Sequence, residues 1–262
     1  MTFPETPRVI YQRNPLVLVV CQLRFPPVLR IESELPARFQ ERIRGDYPLF
    51  RERRDPTIPV PPEVAKILGE DLLSMMGSIG NRHYEFSSTD DTWKASLTRD
   101  FVALATKKYE MWQAFRTRLS SVTDVLLEEY APAFYTRIGL RYRDVIKKDE
   151  WGLEGTSWAE LLKPHIAGEL SSPGIASVIE RVANDITIRL DVGYVRLKHG
   201  FGKKGEIIEP NVYIIDADFF VEEKTEVADA LGRLDYFNRE AGRLFRWAIQ
   251  DRLHSAMAPR TV

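Results

Sequence analysis

Three arginines crowd the middle of the chain, Arg137, Arg141 and Arg143 within the stretch AFYTRIGLRYRDV. The stretch alternates as a β-strand does, so these arginines share one face with Tyr135 and Gly139, opposite Phe134, Thr136, Ile138, Leu140 and Tyr142. A planar guanidinium presents paired donors that match phosphate and carboxylate oxygens, so such a strand face suits an anion. Arg24 repeats the theme earlier, where Leu23-Arg24-Phe25 echoes Leu140-Arg141-Tyr142. Asp216 and Asp218 lie two residues apart on a later strand and therefore share a face. Two carboxylates so placed suit a divalent cation or acid–base work. They suit equally well cross-strand ion pairs with the arginines of a solvent-facing sheet. Arg24, Arg137, Arg141, Arg143, Asp216 and Asp218 are the candidate binding residues.

Other chemistry finds less support. His83, His165, His199 and His254 show none of the close spacings of a zinc site, and no third ligand accompanies the aspartates, so no metal is expected. Gly200-Phe201-Gly202-Lys203-Lys204-Gly205 lacks the spacing and the following Ser or Thr of a phosphate loop, and reads as a hairpin tip. The single cysteine, Cys21, sits in an apolar strand without a base beside it. No G-x-S-x-G elbow occurs. Trp112 and Trp247 fall beside apolar helical stripes, where packing explains them. No catalytic residue is assigned, and no cofactor is expected.

The elements that position these residues form two similar series. Residues 1–14 read as an extended arm. A strand at 16–25 ends at Pro26-Pro27, because proline cannot donate to a ladder. A helix follows at 34–44, with Leu35, Phe39 and Ile43 on its apolar face. A loop at 47–62 precedes strands at 72–79, 84–88, 93–98 and 101–106. A long helix at 109–129 carries the stripe Trp112, Phe115, Leu119, Val122 and Leu126. The second series opens with the arginine strand, 133–145. A short helix at 157–165 starts on a capping box, Ser157 with Glu160. Strands at 176–182, 186–192, 194–198 and 211–220 follow. A helix at 226–257, capped by Thr225, closes the chain. The expected fold is α+β: two tandem β-α-β(3–4)-α units, residues 1–131 and 132–262, which could fuse into one domain. Each unit would pack an antiparallel sheet on its long helix, like the TATA-binding protein or a helix-grip domain.

Composition narrows the setting. The 262 residues carry a formal net charge of -1, so no global field draws the chain to nucleic acid or acidic lipid. A basic cluster (Arg38, Arg42, Arg44, Arg51, Arg53 and Arg54) and an acidic one (Asp216, Asp218, Glu222, Glu223, Glu226 and Asp229) read as solvated faces. One cysteine, no leader-like N-terminus and no membrane-length apolar run lead to the expectation of a soluble cytoplasmic protein.

The chain also resembles a functionally uncharacterised, sporadically distributed bacterial family of about this length. The resemblance rests on Asn14-Pro15-Leu16, on Cys21 to Pro26, and on the central Arg137-Ile138-Gly139-Leu140-Arg141-Tyr142. It continues at Leu234-Asp235, Leu244-Phe245-Arg246-Trp247 and Met257-Ala258-Pro259. Two residues beyond the central Arg-Tyr pair the family tends to carry Asn, where this chain has Asp144. The resemblance implies no activity, and its patchy distribution is compatible with mobile elements or phage defence.

The first functional expectation is a non-enzymatic interaction module whose partner is another protein, because extended mixed surfaces without net charge suit that role. Homo-oligomers fit the same reading. The alternative is a small apolar or anionic ligand held between sheet and long helix, in a pocket on the order of 300–1,000 Å³. The third is nucleic-acid binding on the sheet, which the net charge disfavours.

Overall fold

A computed structural model describes residues 3–54, 82–204 and 207–261. Among the described residues the fold is mixed α+β, built on a nine-stranded antiparallel sheet in the order β3-β4-β5-β6-β2-β7-β10-β9-β8. From one edge these strands are β3 (Leu49–Arg54), β4 (Arg82–Ser87), β5 (Trp93–Leu97), β6 (Phe101–Thr106) and β2 (Leu16–Arg24). Beyond β2 come β7 (Arg137–Lys147), β10 (Ile207–Val221), β9 (Tyr194–Lys204) and β8 (Ala183–Arg189). The two expected sheets are therefore one, joined where β2 pairs with β7. A separate ribbon, β1 (Val9–Tyr11) with β11 (Pro259–Thr261), ties the N-terminal arm to the C-terminal segment.

Alternation decides what each strand buries. Val19, Cys21 and Leu23 of β2, Ile138, Leu140 and Tyr142 of β7, and Tyr213, Ile215 and Phe219 of β10 all turn to one side and are buried. Two long helices cover that side. The first, running Trp112–Tyr130, buries Phe115, Leu119, Val122 and Leu126, and contacts β6. The second, Ala230–Ala248, buries Leu234, Phe237, Leu244 and Phe245, and contacts β7 and β10. In chain order these are α3 and α6. The others are α1 (Leu29–Ser33), α2 (Ala37–Ile43), α4 (Trp158–Leu161), α5 (Pro164–Ala167) and α7 (Asp251–Ala256). No helix among the described residues is long and apolar enough to cross a membrane.

Several expectations are corrected. The helix expected at 34–44 is the pair α1 and α2, divided at Pro36, so Leu35 is 60% exposed and Ile31 is buried in its place. Part of the expected loop at 47–62 is strand β3, paired with β4. The rest of that loop and the strand expected at 72–79 lie outside the described residues. The segment 176–182 is a 3-10 turn leading into β8, and β8 ends at Arg189 because a turn at Gly193 (φ 72°) follows. Strand β9 continues through Gly200 and Gly202, because β10 pairs with it along that length; the rest of the expected hairpin tip, residues 205–206, lies outside the described residues. The last helix stops at Ala248. Ile249 is extended and bridges Leu162, and Gln250 N–H donates to Leu161 C=O at 2.8 Å before α7 begins. Thr225 does not cap α6; it bridges Tyr135. That bridge also buries Tyr135 and leaves Phe134 half-buried beneath Lys224, so the alternation of β7 starts only at Arg137. The Ser157/Glu160 capping box is present at the start of α4.

Candidate functional site

The arginine face is the side of the sheet away from α3 and α6. Arg141 donates from Nε and Nη2 to the two carboxylate oxygens of Asp216, both at 2.6 Å. Arg137 donates to Asp218 at 2.8 Å, approaches Glu222 at 3.3 Å and lies 5.1 Å above the Phe220 ring. This arrangement explains the glycine of the central motif. A Cβ at Gly139 would stand 2.3 Å from the Arg137 guanidinium, so the side chain lies flat across the strand only because residue 139 has none. Arg143 comes no closer to Asp216 than 3.9 Å. Arg24 is exposed and pairs in register with Arg137. Burial pushes the Asp218 carboxyl above its ordinary range, against the pull of Arg137 and Arg141. Of the six candidate residues, Arg137 with Asp218 and Arg141 with Asp216 are thus mutually paired, with Arg143 and Arg24 at the margins.

The opposite face holds a second constellation. The alternation that buries Leu140 and Tyr142 also buries Asp144, which is 7% exposed. Its carboxyl has no hydrogen bond or ion pair among the described residues. Burial therefore raises its pKa well above the ordinary 3.8, with a smaller contribution from Asp216 through the sheet. Beside it β2 carries a bulge: Leu16 opposes Asp144 while Leu18 opposes Arg143, leaving Val17 over. Asn14 shapes the entry to that bulge, accepting from Leu16 N–H at 3.0 Å and donating to Tyr109 C=O at 3.3 Å.

Asp144 faces a cavity of about 310 Å³. Its walls are the arm at 6–11, the segment 109–113 leading into α3, Tyr142 on β7, and one side of α6. Asn238 of α6 organises one end. Its amide donates to Tyr142 Oη at 2.8 Å and Tyr109 Oη at 3.3 Å, and its carbonyl accepts from Arg8 at 2.7 Å. Burial pushes the phenols of Tyr142 and Tyr109 upward, so both stay neutral. At the other end Tyr11 Oη lies 2.8 Å from His254 Nδ1. The Tyr11 phenol is pushed up to about 12 by burial, opposed by Arg246 and reinforced by Asp144. Burial, then Arg246, holds the His254 imidazole below its ordinary value. The arm is fastened across the opening by β1–β11, by Arg8, and by Glu5 accepting from Arg243 at 3.1 Å.

The site thus combines neutral donors and acceptors, apolar walls such as Leu16 and Phe245, and a charged lining of Arg8, Arg239, Arg243 and Arg246 with Glu110. Asp144 is the residue that reasoning from motifs passed over as a functional group. The available signal was an aspartate on the apolar side of an alternating strand. Cys21 is fully buried, and burial raises its thiol pKa, so it has no thiolate character. No family model matches the chain, and no curated protein matches it.

Proposed function

We propose that the protein is a non-enzymatic binding protein for a small, partly apolar molecule, held in the cavity between β7, α6 and the N-terminal arm. One observation carries the reading: a buried carboxyl, Asp144, faces a cavity of about 310 Å³ and has no hydrogen bond or ion pair among the described residues. Buried polar groups are nearly always hydrogen-bonded, and an unmet one costs about 1–3 kcal/mol, so a ligand that meets it gains that much. The volume lies at the lower end of small-molecule sites. A protonated Asp144 offers one donor and one acceptor, as an asparagine amide does, and the ligand would present the complement. Stretches that carry the family resemblance meet here, since Asn14, Leu16, Tyr142, Phe245 and Arg246 all line the cavity. Native mass spectrometry of the protein from its own host tests the reading against Ala241→Phe, which fills the cavity from α6. Bound mass present in wild type and absent from the variant is expected. Identical masses, equal to the bare chain, would sink the proposal.

The partner-protein reading draws on a different feature. Strand β8 is a sheet edge, Ile186 on it is 42% exposed, and Ile175 and Val178 just before it are 49% and 70% exposed. An open edge with apolar side chains can accept a further strand from a partner or a second copy. We also read the fold as a tandem duplication of the TATA-binding-protein kind. In support, each half sets its first strand beside its last, β2 by β6 and β7 by β10, and ends on a long helix. Nucleic-acid binding is the weakest reading, because the carboxylates on the open face already pair with Arg137 and Arg141.

A further inference from the structure

A second cavity, of about 220 Å³, is lined by Arg143, Arg181 and Lys203 with Phe201, Ile208 and Ile214. Three elements bring the cations together. Arg143 projects from β7, and Lys203 from the far end of β9. Arg181 precedes β8, on a segment pressed against the β9 backbone: Phe201 N–H donates to Val182 C=O at 3.1 Å, and a Cβ at Gly200 would stand 2.1 Å from that oxygen. None of the three is neutralised by a hydrogen-bonded carboxylate among the described residues. Asp216 is nearest to Arg143, but its oxygens already accept both bonds from Arg141. The Arg143 Nε–H is shut off from solvent and has no acceptor. On the arginine face, by contrast, Arg137 is held by Asp218, Arg141 by Asp216 and Arg196 by Asp185.

We propose that this cavity binds a small oxyanion, a phosphate or phosphomonoester whose organic part rests on Ile208 and Ile214. Two guanidinium groups and an ammonium around one space supply the charge-assisted donors that a tetrahedral dianion needs. Its oxygens would meet Arg143 through the exposed part of the guanidinium, whose side chain is 42% exposed, and not through the Nε–H, which is shut off from solvent. A small ligand fits better than a polyanion, because a strand of nucleic acid laid across the sheet would meet Asp185, Asp216 and Asp218 outside the cavity.

Isothermal titration of the full chain at low ionic strength and neutral pH, with inorganic phosphate and with phenyl phosphate, tests this. Saturable binding with one site per chain is expected, tighter for phenyl phosphate if the apolar floor takes part and equal for the two if the phosphate alone is read. Arg143→Gln and Lys203→Gln should each weaken it about tenfold, the worth of one charge-assisted bond. Lys203 is exposed, so its variant keeps the test valid if Arg143→Gln fails to fold. Arg189→Gln, at an exposed position of β8 outside the cavity, should bind as wild type. Absence of saturable binding, or equal loss in Arg189→Gln, overturns the proposal. So does a single-stranded oligonucleotide that binds more tightly than either phosphate and depends on Arg24.

Discussion

Replacing Asp144 by asparagine should make the protein more stable near neutral pH and leave it nearly unchanged in acid. The folded protein holds the Asp144 proton more tightly than the unfolded chain does, because burial raises its pKa well above 3.8. Below the unfolded value of about 3.9 both states are protonated and the neutral side chain is accommodated in full. Above it the unfolded chain releases the proton first, so the folded state binds more protons and stability falls as pH rises. The loss is up to about 1.4 kcal/mol per pH unit and continues to the folded pKa, where it levels off. Asparagine has the same shape and no proton to lose, so the loss vanishes. Urea titrations followed by tryptophan fluorescence, from about pH 4 to about pH 8, give both stabilities by linear extrapolation. Contributions from His165, His199 and His254, whose pKa values burial lowers, are common to both proteins and largely cancel in the difference. A gap that opens with pH in favour of Asp144→Asn is expected. Parallel curves, or a variant less stable than wild type at pH 7, would refute the claim that the carboxyl is desolvated and unpartnered.

Asn238→Ala should cost about 1–3 kcal/mol in urea unfolding, because it strips acceptors and donors from Arg8 and from the buried Tyr142 hydroxyl. The same variant should loosen the arm, seen as faster amide exchange at residues 8–11 with little change in the central strands. Gly139→Ala should cost about 1 kcal/mol by pushing the Arg137 guanidinium off Asp218, and the cost should largely disappear in the background of Arg137→Ala. Arg141→Ala should lower stability by about 1–3 kcal/mol in urea unfolding, because it leaves Asp216, only 12% exposed, with Arg143 at 3.9 Å in place of a bidentate partner. No loss there would mean that Asp216 is well solvated without Arg141.

Where the deciding interactions are close in sequence, the chain announces them. Ser157 and Glu160 sit three residues apart, so the capping box and the start of α4 could be read directly. The strand before Pro26 and the stripe of α3 are local patterns of the same kind. The misread elements all turn on distant partners. Nothing near Ala248 in the sequence stops a helix; Ile249 is drawn into an extended conformation by Leu162, nearly ninety positions away. Tyr135 takes the core position expected of Phe134 because Thr225 captures its backbone. The glycines at 200 and 202 look like a loop until β10 pairs with them. For the site, the arginine–aspartate pairs were legible as one of two readings of the same strand faces. The cavity was not, because its walls come from residues 6–16, 109–113, 142–144 and 238–246.

The two faces of β7 are also not electrically separate. Arg143 and Asp144 are neighbours, and the period of two sends one to the open side and the other beneath α6. Asp216, on the adjacent strand, acts on both. It attracts Arg143 at 3.9 Å, and its negative charge adds to the burial that raises the Asp144 pKa. Arg141 holds Asp216 in a bidentate pair and so offsets part of that charge. An oxyanion drawn to Arg143 would add negative charge on the open side, and the sign of its effect on Asp144 follows: the buried acid would hold its proton more tightly. By linkage, protonation of Asp144 must then favour the anion by the same factor. The central strand therefore couples the buried cavity to the open face through charge alone, with no movement of the backbone required.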